Sequence, residues 1–82
     1  MDATVFVRPP NSYEYSKLGV VKFSLLPHVN EYFSAEHEGA NKVFQVVAVH
    51  HHTGKEGVID IYAVSAEPPW TVKKNRVIGF GS

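Results

Sequence analysis

Three consecutive histidines, His50, His51 and His52, stand eight residues before Asp60 in the stretch VHHHTGKEGVIDIY. Imidazoles and a carboxylate are the donors that zinc, iron or copper accept, and the same pairing can orient a general base. Which chemistry is open depends on how the backbone spaces them. In a strand, residues i and i+2 share a face at roughly 7 Å, and a directly opposed residue lies about 5 Å away between Cβ atoms. His50 and His52 then face one way and His51 the other.

The surrounding stretch Lys42 to Ala66, KVFQVVAVHHHTGKEGVIDIYAVSA, reads as one long β-hairpin. A loop from Thr53 to Gly57, with Gly54 and Gly57 free to take positive φ, sets His52 opposite Val58 and His50 opposite Asp60. His50, His52 and Asp60 are thus the candidate ligands of a divalent transition metal with open coordination positions. The bland alternative is a hairpin tip solvated by polar side chains. An acid–base role for the same three residues lacks a nucleophile, because Ser12, Ser16, Ser24, Ser34 and Ser65 lie in no Gly-x-Ser-x-Gly context. Thr53 to Gly57 is not a phosphate loop: the upstream glycine is missing, and Glu56 stands where a magnesium-binding hydroxyl is needed. Gly79 and Gly81 precede no helix, which excludes a dinucleotide fingerprint.

Around the hairpin, Thr4 to Arg8 is an expected strand stopped by Pro9 and Pro10, which cannot donate to a ladder. Asn11 to Gly19 is an expected loop, and Gly19 to Leu26 a second strand with Val21, Phe23 and Leu25 on one face. His28 to Gly39 fits two conformations. Val29, Tyr32 and Phe33 have the spacing of one helical turn, whereas β-branched and aromatic residues in a β-rich chain favour a strand, which is the reading preferred. Arg76 to Phe80 is a further expected strand. No internal repeat or heptad is visible.

The expectation is an all-β fold over residues 1–82: one small, strongly bent, SH3-like barrel of five or six mainly antiparallel strands, with room for one short helix near 28–38. Like faces must pair across the hairpin, so without a bulge Phe44, Val46, Tyr62 and Val64 share its outer side. So short a chain is expected to cover that side with a second copy, making a non-enzymatic binding or assembly module, a dimer for preference, with a protein partner as the other occupant.

Composition narrows the classes. Of 82 residues, 44% are hydrophobic and 20% charged, as in globular proteins. Eight basic and eight acidic residues cancel, so the field of a general nucleic-acid binder is missing. Trp70 beside Lys73, Lys74 and Arg76 has the composition of a base-stacking platform, and Tyr13 and Tyr15 that of an aromatic recognition groove; packing on the barrel is the plainer role for all three rings. With no cysteine there are no disulfides, thiolate chemistry or cysteine-held metal. No window approaches the roughly 18 apolar residues of a membrane span, and Asp2 stands where a secretion signal would be basic, so a cytoplasmic location is expected. Beyond a metal ion, nothing calls for a cofactor.

Overall fold

Alternation between small apolar and polar residues builds the first strand, β1 (Asp2–Arg8), in which Ala3, Val5 and Val7 are buried while Thr4, Phe6 and Arg8 face outward. In the computed structural model, which describes residues 1–54 and 58–67, four more strands follow: β2 (Ser16–Lys22), β3 (Tyr32–His37), β4 (Ala40–His51) and β5 (Ile59–Ser65). They form one sheet in the order β2-β1-β5-β4-β3. Among the described residues, only the β1–β5 pair is parallel. The sheet curls strongly: β2 and β3 are its opposite margins, yet the rings of Phe23, just past β2, and Phe33, on β3, meet edge to face at 5.5 Å. The result is an all-β half-barrel, with no helix among the described residues and none able to cross a membrane.

Its inner side holds Ala3, Val5, Val7, Phe44, Val46, Ile59, Ile61 and Ala63, all buried, with Leu18, Val21, Phe23, Leu26, Phe33, Ala35 and Val49 packed around them. Ile61 sits at the centre, opposite Val5 on β1 and Val49 on β4. Removing apolar surface from water at about 25 cal/mol per Å² is the term that holds so small a sheet together.

Several sequence expectations shift. The second strand begins at Ser16 rather than Gly19, where φ of +131° and a bulge opposite Val5 and Phe6 break the ladder without ending it. It ends at Lys22, after which Phe23 exchanges backbone hydrogen bonds of 2.6 Å with Met1 and Leu25 is left 83% exposed. Residues 28–39 adopt no helix. His28 to Glu31 makes a turn in which the Glu31 carboxylate accepts from the His28 amide at 2.6 Å, and β3 then pairs with β4 so that Phe33 lies on Phe44. A two-residue turn joins β3 to β4, with Glu38 at φ 54° and Gly39 at φ 80°, the left-handed pair that matches the twist of a hairpin.

The main correction concerns the outer contact surface. Val46 pairs with Ala63, but the next rung is Ala48 with Tyr62, so Val47 is an extra residue bulged out of β4. This reverses the phase of β4 below it. Phe44 and Val46, each 1% exposed, belong to the core, while Tyr62 and Val64 face outward on β5. The four residues expected to form one surface are therefore split between the two faces. Trp70, Lys73, Lys74, Arg76 and the expected strand 76–80 lie outside the described residues.

Candidate metal centre

Above the bulge, the even-numbered phase of the hairpin is intact. His50 pairs with Asp60, His51 with Ile59, and the His52 amide donates to the Val58 carbonyl at 3.1 Å. Gly54, with φ of 80°, takes the left-handed conformation that the short loop requires. These features bring His50, His52 and Asp60 together on the outer face, as the loop length and strand parity predict. His51 lies on the other side, beside Val49 and the loop residues Leu26 to Val29.

The geometry is tight. One ligand atom from each of the three residues lies within 4.8 Å of the other two. Nε2 of His52 is 2.8 Å from Oδ2 of Asp60, and the rings of His50 and His52 are 4.5 Å apart at 39°. Burial is graded: the Asp60 side chain is 18% exposed and that of His52 32%, while His50 is exposed. Asp60 and His52 are thus the more sheltered donors, and His50, on the paired part of β4, is the one most open to solvent.

Donor chemistry and spacing fit a divalent transition ion. Bonds of about 2.0–2.1 Å put neighbouring donors roughly 2.9–3.4 Å apart in octahedral or tetrahedral geometry. The His52–Asp60 pair already spans that bite. The widest separation, up to 4.8 Å, exceeds that bite by about 1.5 Å. Two nitrogens and one oxygen leave at least one position open.

Sequence reasoning did not find one neighbour of this site. Thr4 pairs with Asp60 across the parallel β1–β5 ladder, which places its side chain on the same outer face. Further along that face, Phe6 stacks on Tyr62 with centroids 5.2 Å apart, Tyr15 meets Tyr62 edge-on at 5.2 Å, and the Arg8 guanidinium lies 5.5 Å from the Tyr13 ring and 5.7 Å from the Tyr15 ring. Tyr13 and Tyr15 therefore gather around Arg8 at the far end of the face from the histidines. The serines at 12, 16, 24, 34 and 65 occupy other strands, loops or the opposite end of the hairpin, so none joins the His52–Asp60 pair. Compared with known protein families, curated proteins and solved structures, the chain matches none.

Proposed function

We propose that this domain is a small metal-binding module that takes one divalent transition ion, zinc or copper by preference, through His50, His52 and Asp60. The observation that supports this reading is the convergence of three ligand atoms within 4.8 Å, from the His50–Asp60 rung and from His52 two positions further along the chain. Imidazole and carboxylate donors suit these ions, and the order of intrinsic affinities among divalent first-row metals peaks at copper. An ion held there clips β4 to β5 beside the loop, in a chain without cysteine to provide another staple. The open position takes water or an external donor. A binding role is favoured over catalysis, since among the described residues no serine stands beside the pair.

Calorimetric titration of zinc into protein carrying no histidine tag tests the reading. One equivalent is expected, with affinity reduced at least about tenfold by His52→Ala and by Asp60→Asn. Absence of saturable binding, or an affinity that both variants leave unchanged, overturns it. Circular dichroism of the variants separates loss of ligand from loss of fold.

A further inference from the structure

The outer face has a symmetry that the metal reading does not use. Phe6 pairs with Tyr62; two residues back along the parallel ladder stand Thr4 and Asp60, and two residues on stand Arg8 and Val64. The aromatic row is therefore flanked by a carboxylate at one end and a guanidinium at the other, roughly 13 Å apart at 3.3 Å per residue. Both charged groups retain unused hydrogen-bonding capacity. Asp60 engages His52 through Oδ2, and Arg8 donates from Nε to the Tyr15 hydroxyl and from Nη1 to the carbonyls of Pro9 and Ser12. Among the described residues, nothing bonds Asp60 Oδ1 or Arg8 Nη2. Those same contacts, with the Tyr13 and Tyr15 rings, hold the guanidinium in place, so little side-chain freedom remains to be lost on binding.

We infer that two copies of this chain pair outer face to outer face, about a two-fold axis crossing the strands at the Phe6–Tyr62 row, with Arg8 of each copy against Asp60 of the other. A two-fold interface must be self-complementary, and this patch is so in only one orientation. An axis along the strands would stack Asp60 on Asp60 and Arg8 on Arg8. An axis across them reverses the second copy, meets each charge with its opposite, and lays the two aromatic rows together. Sheets packed this way lie about 10 Å apart, a gap that aromatic side chains from both copies fill. A formal net charge of zero leaves no overall repulsion to oppose the pairing. Val20, 67% exposed, and the half-buried Val64 extend the apolar area on either side of the row.

Sedimentation equilibrium of the full chain, run with a chelator so that the metal site plays no part, tests the pairing. A dimer is expected. Arg8→Glu or Asp60→Lys alone should weaken it at least about tenfold, and the double reversal should restore it. A monomer at the highest soluble concentration, a dimer indifferent to both single reversals, or a double variant no better than the singles overturns the inference. A second measurement needs no variant: in a mixture of isotope-labelled and unlabelled chains, intermolecular nuclear Overhauser contacts should link Phe6 and Tyr62 to the same residues of the other copy. Contacts made instead through β3 or the Leu25 region overturn it.

Discussion

Deleting Val47 from the middle of β4 should leave this protein folded. Val46 pairs with Ala63 and Ala48 with Tyr62, so removing the residue between them turns two rungs flanking a bulge into two consecutive rungs of a regular ladder. No side chain changes face. Phe44, Val46 and Val49 stay inward, and the His50–Asp60 rung is untouched. The β3 side is spared as well, because the β3–β4 ladder and its flanking bonds end at Val46. Val47 is 41% exposed, so its loss forgoes about 1 kcal/mol of burial, out of the 1.5–3 kcal/mol of a fully buried side chain. About 1–2 kcal/mol of backbone ordering is no longer required, which offsets it. The net change should stay within about 2 kcal/mol, against roughly 4–12 kcal/mol for a domain of this size. Deleting Tyr62, across the hairpin on β5, is the contrast. That strand is paired on both sides, so the loss slips the Val7–Ala63 and Arg8–Val64 rungs and throws the register against β4 out of phase. Urea unfolding followed by circular dichroism distinguishes them. A cooperative transition without Val47 and none without Tyr62 is expected; an unfolded chain on deleting Val47 alone refutes the phase argument.

Three further outcomes follow. Gly39→Ala, at φ 80° with open space around the position where a Cβ would lie, should cost about 1–2 kcal/mol purely from backbone strain, read as a lower urea midpoint. The Lys42 ammonium, 3.2 Å from the Glu38 carboxylate, lowers the Glu38 pKa by hydrogen bond and charge; the nearby His37 ring adds to this. A carboxyl lowered in the folded state contributes stability above its ordinary pKa and loses it as pH falls through the folded value. Lys42→Ala should therefore raise the Glu38 carboxyl pKa in a carbon-13 titration and flatten stability in that acid window; an unmoved carboxyl would contradict the pairing. Zinc at a hundred times its dissociation constant should add about 2.7 kcal/mol of stability. At about 4–8 °C per kcal/mol, the melting temperature should rise by roughly 10–20 °C, and at the same zinc concentration by no more than about half as much in Asp60→Asn, since a tenfold weaker site adds only about 1.4 kcal/mol.

The part of the site that was legible in the sequence was its local part. A five-residue loop with two glycines and strict strand parity were enough to place His50 opposite Asp60, because hairpin register is fixed by the turn. The bulge was not legible. Val43, Phe44, Val46, Val47 and Val49 occupy both phases of β4, so the hydrophobic pattern permits a break at several points and does not mark which. Only the packing of Phe44 on Phe33 and the pairing of Val46 with Ala63 fix it. Parallel pairing of β1 with β5 joins residues more than fifty positions apart, which is why Thr4 and Arg8 could not be assigned to the same face as Asp60 beforehand. The ambiguity over residues 28–39 had the same origin. Val29, Tyr32 and Phe33 satisfy a helical turn as well as a strand until Phe33 finds Phe44 across the ladder.

Nitrogen-15 spectra of the histidine side chains during a zinc titration identify the ligands one by one, since each of the five imidazoles reports for itself. The ring nitrogens of His50 and His52 should shift together and saturate at one equivalent, while His28, His37 and His51 stay where they are. Uniform small shifts across all five, or a response centred on His51, would contradict a site built from His50, His52 and Asp60.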